Sequence, residues 1–113
     1  MKIVRQSERK EYQNSKTCKA FEYPLGDSDI NGALIEIVGR YPEKGWAVNT
    51  KCKEMAYIIK GCGQLFLFDR DFSLDSGDLI LIEPGEKYYF EGTITMFVPR
   101  TPAWYPEQHK LVE

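Results

Sequence analysis

The sequence predicts an all-β fold, a sandwich or a barrel, from three observations. Short apolar and β-branched runs recur along the chain, among them MAYII at 55–59, LILI at 79–82 and TITMFV at 93–98. Clusters of Gly, Pro and Asp separate these runs, as at residues 42–45, 61–63, 75–78 and 84–85. No segment longer than about ten residues carries the three-four apolar repeat that a core helix needs.

Taken in order, residues 1–16 are polar apart from Ile3 and Val4, and predict one short strand followed by a surface segment. Residues 21–23 read as a strand that stops at Pro24, with GDSD at 26–29 as a turn. ALIEIVGRY at 33–41 alternates in part and ends at the turn 42–45, and residues 46–50 form a further strand. MAYII and QLFLF (64–68) are expected to pair as a hairpin about the glycines at 61–63, since Gly tolerates positive φ at a bend. Residues 72–74 give a short strand. GDLILIEPGEKYYFEG at 77–92 then organises the chain. LILI and the run holding Tyr88, Tyr89 and Phe90 are expected to form an antiparallel unit about Pro84 and Gly85. After TITMFV, residues 99–106 hold three prolines and should run extended over the surface or along a barrel rim.

At 113 residues the chain is expected to form one domain, residues 1–113, with its core barrel at about 17–100. Folding at this size hides roughly two-thirds of the unfolded surface, enough for one core. With 15 Lys and Arg against 17 Asp and Glu, the net charge of -2 offers no basic field for a phosphate backbone, so a nucleic-acid partner is not expected. The apolar runs fall far short of the roughly 20 residues that span a bilayer, and no membrane partner is expected either. Cys18, Cys52 and Cys62 are an odd number behind an N-terminus without a signal-like apolar stretch, which points to free thiols and a cytoplasmic location.

Two stretches together resemble the cupin superfamily of small jelly-roll barrels. Glu54 and Gly61, in EMAYIIKG, stand at the spacing that closes the first cupin motif. Gly77 and Gly85 match the second motif, where Glu83 takes the proline position with Pro84 beside it, and Tyr88 takes the histidine position. The closing TPAWYPEQH is similar to the tail of small single-domain cupins. The resemblance implies an all-β, cupin-like jelly-roll β-barrel. It also implies a homodimer, with residues 1–25 (Ile3, Val4, Phe21 and Tyr23 among them) as the segment that could be exchanged.

The departures bear on chemistry. Metal-binding cupins present two histidines and a glutamate from the first motif and a histidine from the second. Here the paired-histidine positions fall at Ala47 and Asn49, or at Val48 and Thr50, and the chain's one histidine, His109, lies outside both motifs. Imidazole is the usual nitrogen ligand at such sites, so no metal cofactor is expected. A soft site of Cys52, Glu54 and His109 is the weak alternative. A small buried thiol accounts for Cys52 more simply, and a lone histidine near a terminus is expected at the surface.

The resemblance places Glu54 inside the barrel, as a ligand anchor or an acid–base group, or else as a carboxylate satisfied by backbone N–H groups. Asn49, Glu54 and Tyr88 are the candidate polar ligand-binding groups, although Tyr88 could equally plug the space. Trp104 suits a lid or pocket wall, or a subunit contact. No phosphate-cradling loop, nucleophile elbow or CxxC pair is present. The expected function is a metal-free, small-molecule-binding barrel acting as sensor, carrier or accessory protein. The alternative is a small isomerase or lyase acting on a sugar or small acid, with Glu54 as general base.

Overall fold

The computed structural model describes residues 1–113. Nine strands follow one another: β1 (Lys10–Ser15), β2 (Cys18–Tyr23), β3 (Asn31–Tyr41), β4 (Trp46–Asn49), β5 (Lys53–Leu67), β6 (Asp71–Asp75), β7 (Leu79–Ile82), β8 (Lys87–Thr101) and β9 (His109–Val112). Single 3-10 turns at Gln6–Glu8 and Pro106–Gln108 are the only helical pieces. No helix is long and apolar enough to cross a membrane.

Every strand pair is antiparallel, and β8 is the spine. β3 runs along one side of it, from Asn31 opposite Arg100 to Tyr41 opposite Phe90. β5 runs along the other, from Lys53 opposite Thr101 to Leu67 opposite Tyr88. β4 continues past the end of β3, with Ala47 opposite Tyr88, and β9 closes on β4. β2 and β1 extend the sheet beyond β3, while β7 and β6 share the far edge of β5.

The hairpin expected about residues 61–63 does not form, because β5 runs unbroken from Lys53 to Leu67. Its glycines serve a close crossing. Gly61 has φ +93°, and a Cβ there would strike the Thr93 carbonyl oxygen on β8. Gly92 on β8, at φ +140°, would likewise meet the Cys62 carbonyl. Without side chains at these points the two 15-residue strands pass in contact while the sheet curls.

The antiparallel unit expected about Pro84 and Gly85 is also absent. β7 pairs with β5, whereas β8 pairs with β3, β4 and β5. The Gly85 N–H donates to the Asn49 carbonyl at 2.8 Å, which pins this loop to the end of β4. At the N-terminus the strand follows the irregular segment, at Lys10–Ser15, and its backbone pairs with β2 of the same chain. The tail does run irregularly after Thr101, but it ends in β9, a strand the sequence does not suggest.

Strand alternation sorts the side chains. Along β5, Glu54, Ala56 and Ile58 face inward and are buried, while Met55, Tyr57 and Ile59 are 44–46% exposed. Along β8, Phe90, Ile94, Met96, Val98 and Arg100 are buried on the concave side. The large, fully buried Ile37, Ile58 and Ile94 each contribute about 1.5–3 kcal/mol by leaving water. On the convex side one row crosses five strands in register: Phe21, Leu34, Phe97, Tyr57 and Leu79. Met55 and Leu81 pair beside it.

Candidate functional site

The curl of β3, β5 and β8 leaves a cavity of about 50 Å³, with Tyr41, Glu54, Tyr88, Arg100, Trp104 and His109 in its wall among aliphatic side chains. A water occupies about 30 Å³ of liquid, so the cavity takes a small head group, with any larger part of a ligand in its mouth.

One hydrogen-bond chain sets the polarity of this wall, and it starts from groups that cannot turn round. The backbone N–H groups of Lys51 and Cys52 donate to Gln108 Oε1 at 3.1 and 3.0 Å. The Gln108 amide nitrogen must then point away, and it donates to Asn49 Oδ1 at 3.0 Å. That fixes Asn49 in turn, whose Nδ2 donates to Glu54 Oε1 at 2.6 Å. His109 Nδ1 lies 2.8 Å from the same Asn49 Oδ1, an acceptor only, so Nδ1 carries the ring proton. Nε2 is left as the acceptor, and the Tyr41 hydroxyl donates to it at 3.0 Å. Asn49 and Gln108 are almost wholly buried, at 0% and 1% exposure. In such a setting an unpaired amide is costly, so the orientation is held firmly.

Arg100 supplies the positive charge, and most of it is spoken for. Glu22 receives a two-pronged ion pair from Nη1 and Nη2, at 2.9 and 2.8 Å. Asn31 Oδ1 accepts from Nη1 at 3.2 Å. Nε is buried and has no partner. Trp104 lies against the guanidinium, 5.1 Å from ring centre to Cζ. Asn31 clamps the Trp104 backbone from both ends, accepting its N–H at 2.8 Å and donating to its carbonyl at 3.0 Å.

Burial shifts the titrating groups. Desolvation raises the Glu54 pKa, against the pull of Arg100 and the Asn49 hydrogen bond. His109 is lowered to about 4, by burial first and then by Arg100, and is neutral at pH 7. Tyr88 is pushed well above its ordinary value by burial, with Glu54 adding to the effect. Tyr41 is raised as well, by burial foremost and then by the neighbouring Cys18 and Glu54. Cys18, also in the wall, is raised by burial to about 12 and is an inert thiol at neutral pH. The cavity therefore holds a protonatable carboxyl and a neutral, accepting imidazole, joined through one amide.

Of the residues singled out from sequence, Glu54, Tyr88, Trp104 and His109 all reach the cavity wall. Asn49 stands behind the wall and orients Glu54 and His109. His109 is not the surface residue that its place near the terminus suggests. β9 pairs it with Asn49, so the imidazole reaches this end of β4 from the tail. Cys52 is buried outside the cavity, its thiol donating to the Pro102 carbonyl at 3.3 Å. No three His, Cys, Asp or Glu side chains come together as metal ligands, so Cys52, Glu54 and His109 do not form a site. Cys62 is exposed, in a strand rather than a turn. Tyr41, Arg100 and Gln108 escape sequence reasoning. Tyr41 ends a strand like many tyrosines, Arg100 sits in a proline-rich stretch, and Gln108 acts only through Asn49.

No family model and no curated protein matches the sequence. Solved structures do match in shape. Streptomyces Pac13, described as a nucleoside dehydratase, superposes with a TM-score of 0.88 at 16% identity, over 100% of this chain and 92% of its own. A tyrosine-to-phenylalanine variant of Pac13, solved with uridine, matches at 17% identity with the same score, over 100% of this chain and 91% of that one. Ectoine synthase from P. lautus gives 0.75 at 14% identity, again over 100% and 91%. These neighbours are cupin-fold proteins, and the chain has the cupin fold: a small, all-β jelly-roll barrel.

Proposed function

We propose that this barrel is a small acid–base enzyme of the lyase type, acting on a hydroxylated compound whose C–H is acidified by an adjacent carbonyl. The observation that carries this reading is the chain Tyr41–His109–Asn49–Glu54, which sets a proton acceptor and a proton donor on one cavity. The substrate proton passes to the Tyr41 oxygen as Tyr41 gives its own to His109 Nε2. The electron pair left on carbon forms the double bond, the C–O bond breaks, and Glu54 protonates the departing hydroxyl, which leaves as water. Burial raises the Glu54 pKa and so favours its protonated form, which suits an acid better than the base expected from sequence. The dehydratase description of Pac13 supports this class by likeness of fold.

The test is proton exchange in D2O over a panel of β-hydroxy carbonyl compounds, followed by NMR. Wild-type protein should catalyse exchange at the carbon next to the carbonyl, and His109→Gln should lose it by about 10²–10⁴-fold. Glu54→Gln should keep exchange and lose elimination. No exchange with any member of the panel would remove the enzyme reading. A receptor without chemistry is the second reading, and the small size of the cavity, about 50 Å³, favours it. Binding without exchange would support that one.

The protein is also read as a homodimer formed through the convex apolar row. Phe97, Tyr57, Leu79 and Leu81 are 41–63% exposed there, side by side across three strands. Monomers rarely leave so continuous an apolar face to water.

A further inference from the structure

We infer that the cavity selects an uncharged head group with an acceptor oxygen, a carbonyl or hydroxyl, and rejects carboxylates and phosphates. This rests on the cavity being a ligand site, as proposed above, and deepens it to a ligand class.

The orphaned donor sets the first condition. Arg100 is 4% exposed, and its Nε–H has no protein partner while the other guanidinium nitrogens are engaged. A buried N–H demands an acceptor, so the group that meets it carries an oxygen with a free lone pair. The Tyr88 hydroxyl, in the same wall, makes no hydrogen bond within the protein and can donate to the same oxygen or a neighbouring one.

Charge sets the second condition. An anion on Arg100 would ordinarily be welcome, but here Glu22 already closes the fork with both carboxylate oxygens, at 2.9 and 2.8 Å. The pair is neutral as a unit. Glu54, also in the wall and 8% exposed, has only the Asn49 amide as a hydrogen-bond partner. If Glu54 is ionised, an incoming anion faces an unscreened like charge. If it is protonated, the anion still finds no uncompensated cation and loses its hydration for one N–H. A carboxylate is disfavoured in both states. A neutral oxygen accepts from Arg100 Nε without any cost of charge.

Matched probes that differ in charge and little else test this: lactamide against lactate, and 3-hydroxypropionamide against 3-hydroxypropionate, titrated at pH 7. The Arg100 Nε–H resonance is the readout. The amide of each pair should shift it and bind about tenfold or more tightly than its acid. Glu22→Gln, which frees the guanidinium charge, should narrow or reverse that ratio. An acid that binds the wild-type protein as tightly as its amide overturns the inference while leaving the cavity a ligand site. If no probe moves the resonance, the ligand-site reading itself falls, and the class with it. The wild-type comparison stands alone should the Glu22 variant fold poorly.

Discussion

A single amide decides which ring nitrogen of His109 is basic. Asn49 can serve His109 and Glu54 together only because Gln108 holds it one way round, and Gln108 is itself held by two backbone N–H groups. Gln108→Glu keeps the bonds from Lys51 and Cys52 but replaces the donor to Asn49 with an acceptor. The Asn49 amide should then turn over, and the added carboxylate should favour the imidazolium. We expect the His109 pKa to rise from about 4 toward the ordinary 6.5, read by NMR titration. Gln108→Ala should instead cost about 1–3 kcal/mol by stranding the two backbone donors, measured by chemical denaturation. None of this was legible in the sequence. Glu54 and Tyr88 could be found because they stand at motif positions, whereas Gln108 and Arg100 take their roles from partners at least 50 positions away along the chain. His109 was visible as the only histidine, but its place depends on β9, a short strand whose alternation is too weak to see beside three prolines.

At the level of elements, the apolar runs located the strands well and their connections poorly. Strands are written in local composition. Which strand lies beside which depends on the close crossing of β5 and β8, and a glycine that permits a crossing looks the same in sequence as one that makes a turn. Gly61 separates the two cases. A loose hairpin turn leaves open space for a Cβ, but here it would meet the Thr93 carbonyl at a backbone φ of +93°. Gly61→Ala should therefore destabilise the fold by about 2–3 kcal/mol or more in urea denaturation. Gly77→Ala is the control. It also has positive φ, but a Cβ there meets nothing within 4 Å, so it should cost only about 1 kcal/mol.

Across the whole molecule, two buried groups oppose each other as the pH falls. His109, lowered in the fold, stabilises it above pH 6.5, and this is lost as the pH falls toward 4 because the unfolded chain takes up a proton first. Glu54, raised in the fold, acts the other way. The folded protein takes its proton first, so stability is gained as the pH falls through the raised value toward 4.5. Glu54→Gln removes only the second contribution. That variant should lose on the order of 3 kcal/mol between pH 7 and 4, and the wild type distinctly less. Equal losses would mean that Glu54 titrates normally. The convex face can be tested at the same scale. Light scattering should show a dimer, and Tyr57→Lys combined with Leu79→Lys should give a folded monomer, since both side chains point away from the core.

The proton-transfer account rests on His109 being neutral, with its proton on Nδ1 and Nε2 open to Tyr41. Because the chain has one histidine, ring 15N chemical shifts report this without ambiguity. The account predicts the Nδ1–H tautomer at pH 7, unchanged until the pH approaches 4. An Nε2–H tautomer, or a titration near 6.5, would contradict it.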